Sequence, residues 1–429
     1  MQRQYWTFYW PLALTGLVML LGKQFQNGVL ASYEDPAREL AVYAFACGVF
    51  FPFQALLVFL PQMANVLARS DRGRQVCWRF TFTACVLISI PIAAVAFSSP
   101  GRGAVSSVYG LEGPTLAKVV SYVRLMLPLI LIRGMRQYYT GMLIQARRSG
   151  TVTGLHIVYI AVMIGVLLGG LYWGRSAVIT IVASQVISSA VHLALSWCLY
   201  RLRYRRPNRI EHADLTYRQV LSFFWPMAMT SGMFAFSRPI LYAFVNRTAA
   251  GVSAVAALRV AFDVGMIFHA PLNQFRNLFV TFGNEDLSGK RKFMGRVTFV
   301  LTAVIVLVAF TPLGRIVLHG LVNLRGEVLD SACDVLMVVC VTPLVIAVRN
   351  YFHGYLLTRR RTGGMAAGGI ARVAAIYSLS WLLYHAGVLN HTFAAGILQV
   401  GFAAEAVLSA AFMYLGPASP RTPGRGARP

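Results

Sequence analysis

Acidic residues are scarce in this chain of 429 residues, where 14 Asp and Glu stand against 39 Lys and Arg and the formal net charge is +25. Charged residues of both signs make up 12% of the sequence, whereas an average soluble domain carries about 25%. Hydrophobic residues make up 57%, which excludes an ordinary cytosolic enzyme and a disordered chain. Soluble nucleic-acid-binding proteins are also basic, but they are not this apolar, so we expect no nucleic-acid partner.

Cysteine motifs and catalytic motifs are missing as well. The six cysteines stand singly in apolar runs without a CxxC pair, which argues against a disulfide framework and a zinc site. No HExxH, GxSxG or Walker A pattern occurs, and no His, Cys and acidic residues cluster at ligand spacing. We therefore expect neither enzyme activity nor a metal or cofactor.

Long apolar runs dominate what is present. A membrane-crossing helix needs about 20 predominantly apolar residues. Twelve runs of suitable length lie near 6–29, 40–66, 77–97, 116–145, 151–173, 177–200, 219–246, 252–283, 296–313, 331–357, 363–385 and 392–416. The sequence therefore predicts an all-α polytopic membrane protein with 12 transmembrane helices.

The loops between these runs differ in basic residues according to side. Alternate loops, counted with both chain ends, hold 23 Lys and Arg, and the opposite loops hold 6. Because cytoplasmic loops carry the excess of cations, we expect both termini in the cytoplasm and a multi-pass protein of the inner or plasma membrane.

Two segments of the first half recur in the second. The run FYWPLALTG at 8–16 returns as FFWPMAMTSG at 223–232, and RQYYTGMLIQARRSG at 136–150 returns as RNYFHGYLLTRRRTG at 349–363. The first offset, 215, pairs Lys23 with Arg238, and the second, 213, pairs Arg136 with Arg349. Both copies start on the predicted cytoplasmic side, so the repeats are parallel. Transporters of this build bind substrate between their halves and rock to give alternating access.

The repeat sets the predicted domains. We expect an N-terminal six-helix lobe at 1–200, a basic cytoplasmic linker at 201–218, a C-terminal six-helix lobe at 219–416 and a disordered basic tail at 417–429. The basic linker is expected to attract anionic lipid headgroups, and we expect the protein to be a monomer in contact with membrane lipids.

Several arginines lie deep in the predicted spans. Arg136 and Arg349 each stand eleven residues before a cytoplasmic arginine, which places them about 16 Å into the membrane at 1.5 Å rise per residue. An arginine at that depth costs about 2.5–3.5 kcal/mol on insertion scales, so it faces a cavity or a partner. We expect both to bind substrate near the midplane, with Arg133 on the same helix face as Arg136.

Ten cations but only three acids, Asp263, Asp334 and Glu405, fall in or at the edges of the spans. Arg259 and Asp263 are four residues apart and are expected to pair, whereas Glu405 has Arg372 or another cation as its partner. The remaining cations predict a water-filled cleft that attracts anions, since guanidinium groups bind carboxylates and phosphates well.

Further roles follow for the other charges of the spans. Lys23 and Arg238 are expected to line the outward path for the substrate. Arg276 is placed either at the cytoplasmic interface or against substrate. Asp263 and Glu405 are candidate proton or cation sites.

Parts of the second half resemble the progressive ankylosis protein family, the multipass "inorganic pyrophosphate transport regulator" proteins. The strongest matches are VLSFFWPMA at 220–228 and FSRPILYAFVNR at 236–247, followed by the spacing from Val264-Gly265 to Arg276 and Phe282, by GFAAEA at 401–406 and by PARELAVYAFA at 36–46. The 35 Arg against 4 Lys indicate a GC-rich genome, so we expect a bacterial homologue. The segment PASPRTPGRGARP is short and basic, whereas animal members carry a long acidic tail. The family belongs to the multidrug/oligosaccharidyl-lipid/polysaccharide exporter superfamily.

The resemblance implies a fold of two six-helix lobes in a V shape, like the drug exporters of that superfamily, and export of anions such as pyrophosphate, nucleotide triphosphate or citrate. Drug exporters often use an acid in the first span for cation coupling, and this chain has Lys23 and Gln24 there instead. A lipid-linked saccharide flippase is the alternative, because its pyrophosphate-linked cargo would also require a cationic cavity. We expect alanine at position 136 or 349 to abolish anion flux without loss of folded protein.

Overall fold

The computed structural model describes residues 2–68, 70–146, 149–203, 215–283, 286–359 and 362–415. Within these ranges all regular secondary structure is helical, which agrees with the predicted all-α fold. The helices are α1 Gln2–Leu30, α2 Pro36–Ala55, α3 Leu60–Leu67, α4 Asp71–Phe97, α5 Ser99–Tyr109, α6 Gly113–Met126, α7 Pro128–Gln145, α8 Ser149–Tyr172, α9 Ala177–Arg203, α10 Tyr217–Ala235, α11 Ser237–Val245, α12 Gly251–Asn273, α13 Phe275–Phe282, α14 Leu287–Phe310, α15 Pro312–Val322, α16 Gly326–Val339, α17 Thr342–Thr358, α18 Thr362–His385 and α19 His391–Leu415.

Five of the predicted spans consist of two helices with a short break between them: α2 with α3, α6 with α7, α10 with α11, α12 with α13, and α16 with α17. Prolines stand in the first turn after four of these breaks, namely Pro61 in α3, Pro128 in α7, Pro239 in α11 and Pro343 in α17. A proline is tolerated there because its missing N–H has no partner within the helix. The axis bends by 43° between α16 and α17.

Nine helical stretches of the described chain are long and apolar enough to cross a membrane, or ten when the bent pair of α16 and α17 counts as one span. The segments α1 and α10 with α11 occupy predicted spans one and seven but are not in this set. The short helices α5 and α15 follow predicted spans three and nine. This arrangement is consistent with the twelve predicted helices.

The internal repeat extends to the order of the helices. Each helix from α1 to α9 has a counterpart that begins 213 to 216 residues later, for example α2 at Pro36 with α12 at Gly251 and α8 at Ser149 with α18 at Thr362. The unmatched helix is α11, since α1 runs unbroken where α10 and α11 are separate. The fold is therefore two bundles of the same design, called here the N-terminal and the C-terminal bundle.

Aromatic residues join the two bundles at the end where α1 begins, which is the predicted cytoplasmic end. The Tyr9 ring lies 5.5 Å from the ring of Phe275 and 5.4 Å from that of Phe293. The Tyr5 hydroxyl donates to the carboxylate of Asp286 at 3.0 Å, and the same carboxylate accepts from the backbone N–H of Gly289 at the start of α14. These two hydrogen bonds hold the pKa of Asp286 below its ordinary value.

The opposite end is also bridged, because the Asn246 side chain donates to the carbonyl oxygen of Tyr109 at 2.7 Å. Contacts at both ends leave the space between the bundles for a cavity. The predicted linker 201–218 is described only at its two ends, and the predicted tail 417–429 lies outside the described residues.

The predicted orientation can be tested with reporter fusions in a bacterial host. The chain is truncated after Arg203 or Arg359 and fused there to green fluorescent protein or to alkaline phosphatase. The first fusion should be fluorescent and the second inactive, because loops rich in arginine stay in the cytoplasm. Fusions after Arg175 should behave in the opposite way. Active phosphatase after Arg203 would contradict the predicted topology.

Candidate functional site

A cavity of about 440 Å³ lies between the bundles. One wall comes from α1, α2, α7, α8 and α9 and the other from α10, α11, α12, α16, α17 and α19. The described residues that line it include five cations and one carboxylate, namely Lys23, Arg133, Arg136, Arg238, Arg259 and Asp263. Aromatic and sulfur-containing side chains from both bundles make up much of the remaining surface.

Asp263 on α12 is the shared counter-ion of two of the cations. Its carboxylate lies 2.7 Å from the Arg238 guanidinium and 4.0 Å from that of Arg259, so the pair expected from the i,i+4 spacing is present. Asn27 on α1 donates to the same carboxylate at 3.3 Å and accepts from Arg259 at 3.2 Å. The Arg259 guanidinium also stacks 4.3 Å from the centre of the Tyr43 ring. This network connects the two bundles because Asn27 and Tyr43 belong to the N-terminal one.

Arg133 on α7 is held by neutral amides. Its two terminal nitrogens donate to the side-chain oxygens of Gln54 at 2.5 Å and Gln185 at 2.7 Å, and Gln185 in turn donates to the Tyr43 hydroxyl. The side chain is fixed from two sides, but its charge is left without a counter-ion among the described residues.

Arg136 lies one turn further along the same face of α7 and is half-buried. Its guanidinium donates to Nδ1 of His192 at 3.4 Å and lies 5.2 Å from the centre of the Tyr159 ring. Neither contact supplies a negative charge. Lys23 on α1 is exposed to the cavity and makes no hydrogen bond or ion pair with another described residue.

Three of the five cavity cations, Lys23, Arg133 and Arg136, therefore lack a carboxylate partner in the part of the chain that the structure describes. Burial next to apolar walls strengthens the attraction of these charges for an anion, since water screens them less than at a surface. The cavity is thus chemically suited to negatively charged guests.

Arg349 does not share this environment, although the sequence places it at the position of the repeat that is equivalent to Arg136. It lies inside the C-terminal bundle at 3% exposure, outside the cavity lining. Its guanidinium is 3.4 Å from Glu405 and donates to the Asn273 side chain at 2.9 Å. Arg372 lies 2.5 Å from the same carboxylate, so Glu405 has two arginine partners rather than one.

Arg276 is also outside the cavity lining. It is half-buried and donates to the backbone carbonyl of Asn273 at 3.4 Å, next to the Arg349 cluster. Arg276 and Arg349 are thus not among the described residues that line this cavity, and their contact with substrate stays a prediction. The neutral partners Gln54, Gln185 and Asn27 were missed because the sequence argument balanced charges only, although each is an amide within an apolar run.

Removal of the Asp263 charge should destabilise the protein, because it leaves Arg238 and Arg259 without a counter-ion. For Asp263→Asn we expect the free energy of unfolding to fall by about 3–5 kcal/mol, measured as a lower unfolding temperature in detergent. Asp334→Asn is the matched control, since the Asp334 side chain is 48% exposed and pairs with His391 at 3.3 Å. Equal unfolding temperatures for Asp263→Asn and the unchanged protein would contradict the assigned role.

Known proteins share both the sequence pattern and the architecture. Residues 2–300 match the family described as "Progressive ankylosis protein (ANKH)". An inward-facing multidrug resistance MATE family transporter of the MOP superfamily is similar with a TM-score of 0.67 and 14% identity, covering 92% of each chain. The lipid II flippase MurJ in an inward closed conformation has a TM-score of 0.66 and 12% identity, covering 96% of this chain and 88% of its own.

A third structure is a MOP superfamily transporter from Pyrococcus furiosus Vc1 (DSM3638), for which a reverse polarity of the binding pocket is described. It has a TM-score of 0.57 and 13% identity and covers 93% of this chain and 92% of its own. At such identities the likeness shows the fold, and it confirms the predicted architecture of two helical bundles. The chain belongs to the progressive ankylosis protein family and is a multi-pass membrane protein with a MATE-like fold.

Proposed function

We propose that this transporter exports small polyvalent anions, such as pyrophosphate, a nucleotide phosphate or a citrate-like carboxylate, by alternating access through the cavity between its bundles. The observation that carries the proposal is the charge of that cavity, which has five cations against one carboxylate among its described lining residues. The excess selects for an anion and against the cationic drugs that an acidic cavity would hold.

The number of unpaired cations favours a guest of more than one negative charge. At 4 Å and an effective dielectric constant of about 20, one pair of opposite charges is worth about 4 kcal/mol. A monovalent anion would offset one of Lys23, Arg133 and Arg136 and leave the others unbalanced. A guest with several charged oxygens can engage the forks of both arginines and the ammonium group together.

The size of the cavity points to a small molecule. Its volume of about 440 Å³ falls in the range of about 300–1,000 Å³ that is usual for small-molecule sites. Arg136, Arg238 and Lys23 all line the cavity. Arg238 and Lys23 occupy equivalent positions of the repeat, one in each bundle. Movement of the bundles against each other would change the distance between these two charges.

The direction of transport follows from the membrane potential. A potential that is negative inside drives anions outward with about 2.3 kcal/mol per charge for each 100 mV. Coupling through Asp263 or Glu405 would require their ion pairs with arginine to open first. We therefore assign the driving force to the voltage, in a cell membrane with both chain termini in the cytoplasm, and expect the carrier to work as a monomer without a cofactor.

Purified protein in liposomes tests the proposal directly. With the voltage clamped, uptake of labelled pyrophosphate, citrate and ATP should exceed that of empty liposomes for at least one anion. Arg136→Ala should reduce this uptake by about tenfold or more, the equivalent of one lost charge-assisted contact of about 1.4 kcal/mol, without lowering the unfolding temperature.

Arg349→Ala is the matched comparison from the other half of the repeat. Because Arg349 pairs with Glu405 away from the cavity, it should lower the unfolding temperature and leave the concentration for half-maximal uptake unchanged. Absence of flux for every anion tested would refute the proposed function. Translocation of a lipid-linked saccharide by the same liposomes would favour the flippase alternative.

A further inference from the structure

A buried carboxylate in the C-terminal bundle shows how this fold holds an anion between two arginines. Glu405 on α19 lies 2.5 Å from Arg372 on α18 and 3.4 Å from Arg349 on α17. The aromatic rings of Phe234 and Phe402 lie within 6 Å of both guanidinium groups. We call Arg349, Glu405 and Arg372 the C-terminal triad.

The N-terminal bundle contains the same arrangement at the same chain separations. Arg136 on α7 contacts His192 on α9, 56 residues away, as Arg349 contacts Glu405, 56 residues away. Arg136 also stacks on Tyr159 of α8, which occupies the place of Arg372 in the repeat. We call Arg136, His192 and Tyr159 the N-terminal triad, and each of its members is 213 positions before its counterpart.

The two triads differ in the charge at their centre. A guanidinium can only donate, so the Arg136 contact requires a lone pair on Nδ1 of His192, which makes this imidazole neutral with its proton on Nε2. The Nε2 atom is buried and has no partner among the described residues. The C-terminal triad therefore holds its own carboxylate, whereas the N-terminal triad holds a neutral ring and keeps the charge of Arg136 uncompensated.

Exposure to the cavity follows the same division. Arg136 and Tyr159 line the cavity, while His192 is fully buried behind them. No member of the C-terminal triad is among the described lining residues. Of the two equivalent arginines, Arg136 and Arg349, the one that lines the cavity is thus the one without a carboxylate in its triad.

We propose that residue 192 determines whether this transporter binds anions, because a neutral side chain there leaves Arg136 free for a carboxylate or phosphate group of the cargo. In the C-terminal bundle, the carboxylate of Glu405 already occupies the position beside Arg349 that a carboxylate or phosphate group of the cargo would need. His192 is in this view a positioning residue and does not touch the cargo itself. The inference rests on the proposed anion transport and adds the residue that makes it possible.

The test compares His192→Glu with His192→Gln in the full-length protein, with pyrophosphate uptake into liposomes as the readout. Glu and Gln have the same shape and both accept a hydrogen bond from Arg136, so the pair differs in charge alone. His192→Glu should raise the concentration for half-maximal uptake by at least about tenfold, while His192→Gln should stay close to the unchanged protein. A purely structural role for His192 would affect both variants alike, and that result would overturn the proposal.

Thermal unfolding supplies a second measurement on the same two variants. The fold already accommodates a carboxylate against Arg349, so His192→Glu should unfold at the same temperature as His192→Gln or higher. Failure of His192→Glu alone to fold would show that the two triads are not equivalent, which also overturns the proposal. If the unchanged protein transports no anion, the proposed function fails; if it does and the two variants behave alike, the inference about residue 192 fails by itself.

Discussion

The carboxylate of Asp263 is the interaction on which the cavity between the bundles depends. It lies within 4.0 Å of two guanidinium groups and accepts a hydrogen bond from Asn27 of the opposite bundle. Without it, the five cations that line the cavity would have no carboxylate among the described lining residues. With it, two of the five cations share one counter-ion within the C-terminal bundle, while Lys23 and the two arginines of α7 lie beyond ion-pair distance of it. The cavity is therefore asymmetric although the fold that surrounds it is a repeat.

Duplication explains this asymmetry. The helices of the two halves begin 213 to 216 residues apart, so any side chain has a partner at nearly the same place in the other bundle. The repeat keeps the contacts and changes the chemistry: Arg136 meets His192 where Arg349 meets Glu405. One bundle thus holds its buried arginines in internal ion pairs, whereas the equivalent arginine of the other bundle has only neutral partners.

Much of the fold could be predicted from the sequence, because membrane spans depend on length and apolar content alone and the repeated segments are recognisable. Depth in the membrane can be counted along a helix, which predicts the same height for Arg136 and Arg349. Whether each arginine faces the cavity or the inside of its own bundle could not be predicted, because packing against neighbouring helices decides how a helix is rotated about its axis. Glu405 is 56 residues from Arg349 in the chain, and no local pattern connects them. The amides of Gln54 and Gln185 were overlooked for a different reason, as neutral dipoles do not enter a count of charges.

Neutral partners give a transport site a property that ion pairs lack. A carrier has to be stable when empty and has to release what it binds. An arginine paired with a fixed carboxylate satisfies the first condition, but cargo can reach it only by breaking the pair, which costs about 3–5 kcal/mol for a buried one. Arg133, held by two glutamines at 2.5 and 2.7 Å, keeps its orientation without cargo and loses no counter-ion when cargo arrives. Amides and imidazole around Arg133 and Arg136 therefore fix the geometry of this part of the cavity. Under the proposed function they leave its charge to the anion, which is the division of roles that repeated loading and unloading requires.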